Sequence, residues 1–152
     1  RQRQMCIRDS FIEECKDQEE VEITIRCASL DERLQKLIEH IHSCSLTIKG
    51  IWDNETRNIP LEEIYYFESV DDVTYMYCAS RVYRCDKKLY ELEKLLCTTS
   101  FLRISKSVIL NVDCLSYVKP LFDGKFEAVL NNGEIVVVNR HYVKQFKKKF
   151  NV

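Results

Sequence analysis

Arg103, Ser105, Lys106 and Ser107 stand within a dozen residues whose other members are mostly apolar, Phe101 to Val112. Two cations and two hydroxyls beside Phe101, Leu102, Ile104, Val108, Ile109 and Leu110 need an outlet, because a charge in an apolar run must leave the core or find a partner. The spacing predicts a strand, a turn and a second strand, with the apolar side chains anchoring the backbone and the four polar ones projecting. Arginine, lysine and hydroxyl groups on a firm support suit phosphate oxygens and base edges. A solvated turn between two strands accounts for the same residues, so the rest of the chain has to decide.

The elements around this stretch follow from periodicity. Val21 to Arg26 alternates apolar and polar residues as a strand does. Ser29 with Glu32 three positions on reads as a capping box, opening a helix whose Leu30, Leu34, Leu37, Ile38 and Ile41 share a face. Ser45 to Trp52 returns as a strand. These pieces make a small β-α-β segment over residues 21–57. Further strands are predicted at Ile64–Ser69, Val73–Cys78, Val82–Cys85, Phe101–Ser105, Leu115–Leu121 and Lys125–Asn131, with a buried strand at Ile135–Val138. A helix carries Leu89, Leu92, Leu95 and Leu96 on one face. Asp71-Asp72, Phe122 to Lys125 and Asn132-Gly133 are turns, and Asn139 is placed to cap a last helix. The chain is mostly β with short flanking helices.

Composition limits the function classes. The 152 residues, 45% apolar with three glycines and two prolines, suit one packed domain with a small addition. No apolar run approaches the roughly 20 residues that span a bilayer, and no secretory signal is visible, so a soluble, cytoplasmic protein is expected. Net charge is −1, but residues 101–152 hold nine Lys/Arg against four Asp/Glu, while residues 1–100 hold fourteen against twenty. The basic excess lies on the part that carries Arg103 and Lys106, where a polyanion would be met. The eight cysteines form no C-x-x-C pair, which leaves no zinc ribbon or thioredoxin-type spacing. They read as reduced thiols, with Cys27 and Cys114 as small buried hydrophobes. His40 and His42 have no ligand set beside them. No P-loop, nucleophile elbow or dinucleotide fingerprint is present, and no enzyme, cofactor or metal is expected. Residues 1–10 show no periodicity and Phe11 to Glu20 is acidic and polar, a mobile lead-in or a frayed helix, so residues 1–20 are set apart as a non-native or disordered lead-in.

Four segments fall in a telling order: Ile64-Tyr65-Tyr66-Phe67-Glu68-Ser69, then Leu89-Tyr90-Glu91-Leu92-Glu93, then Phe101 to Asn111, then Leu130 to Val143. They resemble the I-x-Y-x-E-S strand, the L-x-E-L-E helix, the F-x-R-x-H/S-x-S-x-x-x-N segment and the closing L-x-N-G stretch of the LytTR family of bacterial DNA-binding domains. The resemblance spans roughly residues 58–152 and implies a β-sandwich DNA-binding domain with short helices. It implies a transcriptional regulator of double-stranded DNA that reads the major groove through loops rather than a recognition helix. Three loops would contact DNA: Thr74 and Tyr75 in the first, Arg103, Ser105, Lys106 and Ser107 in the second, and Asn139, Arg140 and His141 in the third. Lys144 would add phosphate attraction. Ser105 stands where many relatives carry histidine, and His141 replaces a frequent second arginine, so the sequence read should differ from theirs. Asp71-Asp72 would repel phosphates unless turned away. A homodimer or paired protomers on repeated half-sites, an inhibitory membrane-protein partner, and a self-association or signal role for residues 21–57 complete the expectation. The alternative is a protein-interaction module on the same fold that does not bind DNA.

Overall fold

The computed structural model describes residues 23–150, so the expectations for residues 1–20 lie outside the described residues. The chain divides into two units after Leu30. Residues 23–30 of the first unit hold neither helix nor strand. The strand expected at Val21–Arg26 is therefore not formed over its described part. Ile23 and Ile25 are exposed, and a lone extended segment has no ladder to complete. Cys27 is exposed, not buried.

The second unit opens with α1 (Glu32–Ser45). Its cap is Asp31 rather than Ser29: the Leu34 amide donates to Asp31 Oδ1 at 2.8 Å. The carboxylate also meets the positive end of the helix dipole. Leu34, Ile38 and Ile41 are half-buried on one face, whereas Leu37 is 50% exposed.

Ten strands follow: β1 (Thr47–Trp52), β2 (Glu55–Pro60), β3 (Ile64–Val70), β4 (Val73–Cys78), β5 (Val82–Cys85), β6 (Phe101–Arg103), β7 (Val108–Asn111), β8 (Leu115–Pro120), β9 (Phe126–Leu130) and β10 (Ile135–Val138). Helix α2 (Leu89–Leu95) lies between β5 and β6, and α3 (Val143–Phe150) closes the described chain. A seven-stranded antiparallel sheet has the order β2-β1-β5-β4-β3-β7-β6, and a three-stranded sheet the order β10-β9-β8. Both β1–β2 and β3–β4 turn through paired acidic or amide residues at positive φ, Asp53-Asn54 and Asp71-Asp72, the chemistry that short hairpins demand.

Alternation along β3 divides the core. Phe67 faces one side with Met76, Ile109 and Leu92 of α2. Tyr66 faces the other with Leu110, with Ala128, Leu130 and Val138 of the small sheet, and with Phe146 of α3. The two sheets thus sandwich the second core, and α2 seals the first. Tyr66 stacks on Tyr77 across β3 and β4 with centroids 4.3 Å apart.

Three expectations are corrected here. β1 pairs with β5, Gly50 opposite Cys85 and Ile51 opposite Arg84, so residues 47–60 belong to the large sheet, and a boundary after residue 57 runs through β2. Gly50 makes that approach possible, because a Cβ there would lie 2.7 Å from Met76 Cε and 2.9 Å from Tyr83 Cβ. β10 is an edge strand, not a buried one: Ile135 is 58% and Val137 43% exposed, Val136 is half-buried against the core, and Val138 alone is fully buried. Asn139 makes no side-chain cap. Its carbonyl accepts from the Tyr142 amide at 2.8 Å, forming a 3-10 turn before α3.

No helix among the described residues is long and apolar enough to cross a membrane. Among the described cysteines, Cys27, Cys44 and Cys97 are exposed. Burial pushes the thiols of Cys78 and Cys114 up, to about 12 and about 11, and raises Cys85 as well. Alkylation with iodoacetamide at pH 7.5 is expected to modify the first three and spare the second three until the protein is unfolded. Because folding holds these buried thiols protonated, their contribution is complete below the ordinary thiol pKa of about 8.5. It is lost as pH climbs through the raised values. Denaturation midpoints measured from pH 8 to 11 should therefore fall steadily, and a flat profile would contradict the burial.

Candidate nucleic-acid interface

Backbone bonds gather the polar segments at one end of the sandwich. The Ser69 amide donates to Ser107 O at 2.8 Å, joining the β3–β4 turn to the β6–β7 loop. The Asn139 amide donates to Ile104 O at 2.9 Å, joining that same loop to the β10–α3 connection. Ile104 itself is wholly buried and pins the loop from below.

Within the β6–β7 loop the side chains divide into holders and presenters. Arg103 does not project; its side chain is only 17% exposed. Its Nε donates to Ser105 O at 2.7 Å and a terminal nitrogen donates to Lys106 O, while the other lies 3.2 Å from Glu93 of α2. The guanidinium fork, with its five fixed donors, thus closes its own loop and ties it to α2. Ser105 is buried as well. Its Oγ accepts from the Ser107 amide at 3.1 Å and lies 3.3 Å from the Ser107 hydroxyl. Lys106 is exposed at the crest and its ammonium has no protein partner among the described residues.

The other sequence-derived positions separate in the same way. Thr74 is buried, facing the core side of β4, and its hydroxyl has no hydrogen-bond partner among the described residues. It is withdrawn from any groove. Strand alternation is the reason, since Thr74 and Met76 share the inward face. Tyr75 lies on the opposite face, half-buried, with Glu68 across from it on β3 and Arg84 on β5. Asn139 is half-buried and serves the backbone, whereas Arg140, His141 and Lys144 are exposed.

Two contributors escaped the sequence. Lys88, at the start of α2, sends its ammonium to the carbonyl of Asp72, bringing a cation to the acidic β3–β4 turn. The turn between β8 and β9 lies against Arg140: a Cβ added at Gly124 would stand 3.4 Å from Arg140 Cδ. Neither closeness has a signal in local spacing, for Lys88 and Asp72 are 16 residues apart, as are Arg140 and Gly124.

This end of the molecule therefore carries exposed Lys106, Arg140 and His141 on connections fixed by hydrogen bonds, with exposed Lys144 in the first turn of α3. A model of the LytTr DNA-binding domain matches residues 54–151, which include every one of these loops. The chain belongs to the LytTr DNA-binding domain family. A solved LytTr DNA-binding domain from Bacillus cereus shares the fold with a TM-score of 0.67 at 26% identity, over 71% of this chain and 99% of that one. The sensory transduction protein LytT of Enterococcus faecalis is 32% identical over 88 residues, 58% of this chain and 36% of that protein. This LytTr chain thus spans little more than a third of the length of that relative. An uncharacterized HTH-type transcriptional regulator of Staphylococcus aureus is 25% identical over 132 residues, 86% of this chain and 89% of its own. The β-sandwich expected from the four segments is the fold observed.

Proposed function

We propose that this LytTr domain serves a transcriptional regulator and reads double-stranded DNA in the major groove through its loop cluster. The observation that carries the reading is the pair of backbone bonds, Ser69 to Ser107 and Asn139 to Ile104, which fix three loops side by side. Lys106 and Arg140 stand on that support without internal ion pairs among the described residues. Arg140 suits the O6 and N7 of guanine, and Lys106 a base edge or phosphate. The exposed lysines of α3, Lys144, Lys147 and Lys148, supply attraction to phosphate without sequence preference. Two protomers on repeated half-sites would make up for the modest area of one such face.

Fluorescence anisotropy against a selected duplex tests this. With about four phosphates neutralised, affinity should fall roughly a hundredfold between 50 and 200 mM salt. Lys106→Ala and Arg140→Ala should each cost about 1–3 kcal/mol, and Arg140→Ala should relax the preference at one base pair. Binding that selects no duplex over random DNA would turn the reading toward a protein-docking module.

A further inference from the structure

Phe122 is the most exposed large apolar residue described, at 113% of its reference area, and Leu121 before it is 36% exposed. An unburied phenylalanine on a folded surface leaves its transfer free energy unused. Its place in the fold gives it a use. The turn that carries it is tight: the Leu121 amide donates to Lys125 O at 2.9 Å and the Gly124 amide to Leu121 O at 3.3 Å. Gly124 takes the left-handed conformation at φ 76°. The one acidic group of the turn, Asp123, is paired with Lys125 at 2.6 Å, so it does not repel a polyanion from the tip. The strand ends are level, since Phe126 pairs with both Pro120 of β8 and Val138 of β10. The turn therefore leaves the small sheet at the same end as Arg140. The Arg140 stem lies alongside Gly124, with Cγ and Cδ at 3.6 and 3.4 Å from where a Cβ would sit.

An arginine and an exposed phenylalanine on one rigid edge match two neighbouring features of the major groove. Guanine presents O6 and N7 to arginine, and thymine presents its 5-methyl group to apolar side chains, phenylalanine among them. We propose that Phe122 reads a thymine methyl group within one or two base pairs of the base contacted by Arg140, which makes the β8–β9 turn a fourth reading loop. This rests on the DNA-reading function proposed above and adds a specificity-determining residue to it.

The test removes the methyl group alone. In a duplex selected by the wild-type protein, each thymine is replaced in turn by deoxyuridine and binding is measured by anisotropy. Wild type should lose about fourfold at one position, the worth of burying a single methyl group. Phe122→Ala should bind the parent duplex several-fold more weakly and show no further loss at that deoxyuridine. Phe122→Leu should keep part of the sensitivity. The side chain is wholly exposed, so the variants should fold as wild type does, and unfolding curves check this. Wild type indifferent to every deoxyuridine overturns the inference, as does Phe122→Ala retaining full sensitivity. Loss of self-association in Phe122→Ala without coupling to any thymine also overturns it, and assigns the tip to a second copy of the chain. Wild type that selects no duplex would bring down the DNA reading itself, whereas selection without coupling to Phe122 brings down only this inference.

Discussion

Asn111→Ala is expected to lower the unfolding free energy by about 3 kcal/mol, a large share of the roughly 5–15 kcal/mol that holds a domain together. Asn111 is buried at the end of β7. Its Nδ2 donates to Ile64 O at 3.0 Å, and its Oδ1 accepts from Ser100 Oγ at 2.8 Å and from the Asp113 amide at 3.1 Å. One side chain thereby joins β3, the approach to β6 and the turn after β7. Alanine leaves a hydroxyl and an amide without this partner and the Ile64 carbonyl with only the Cys114 thiol at 3.8 Å, and a buried unsatisfied group costs about 1–3 kcal/mol. Asn111→Asp should also destabilise, since it keeps the acceptors but loses the donor to Ile64 and adds a charge at a buried position. Urea unfolding should show a lower midpoint at unchanged slope in both. A midpoint unmoved in the alanine variant would mean that the network contributes little.

Arg103→Ala is expected to weaken sequence-selective DNA binding by up to about thirtyfold without Arg103 touching DNA. Its three contacts, to Ser105 O, Lys106 O and Glu93, hold the crest on which Lys106 stands. Charge-assisted hydrogen bonds contribute about 1.5–3 kcal/mol, and an affinity loss of about 2 kcal/mol is near thirtyfold. Arg103→Lys discriminates positioning from charge, because an ammonium cannot span two carbonyls and a carboxylate as a planar fork does. It should therefore resemble Arg103→Ala in selectivity while keeping the salt dependence of wild type. If the lysine variant selects duplexes as wild type does, the fork is not what shapes the loop. Glu93→Gln should have a smaller effect, since the ion pair is half solvated.

Much of this was legible in the residues. Alternation in Ile64–Ser69 and Val73–Cys78 gave strands at the observed positions, and of the four leucines expected on one helix face Leu89, Leu92 and Leu96 pack in the core while Leu95 is exposed. What alternation cannot show is which strand lies beside which. β1 reads as part of a separate segment until its pairing with β5 is seen, and β10 reads as buried because Ile-Val-Val-Val has the composition of a central strand, though it lies at an edge. The candidate face divides along the same line. Lys106, Arg140 and His141 are exposed, as their types suggested, because nothing nearby competes for them. Arg103 and Ser105 read as presenters, but Arg103 bonds carbonyls of its own loop and Ser105 the amide and hydroxyl of Ser107, pairings that residue types do not encode. Thr74 reads as a contact of the first loop, but it is buried on β4 beside Met76, an inward face that strand alternation sets. Lys88 beside Asp72 and the β8–β9 turn beside Arg140 have no signal in the sequence, since each neighbour comes from a distant part of the chain.

Lys106, Arg140 and Phe122 face outward with no hydrogen bond or ion pair of their side chains among the described residues, whereas Arg103 and Ser105, which keep the β6–β7 loop in shape, are largely covered. A substitution at Lys106, Arg140 or Phe122 can therefore change what the face prefers at almost no cost in folding. Arg103, Ser105 and Asn111 have no such freedom. Under the DNA-reading function proposed above, operator preference in a lineage built this way could drift quickly while its architecture stands still.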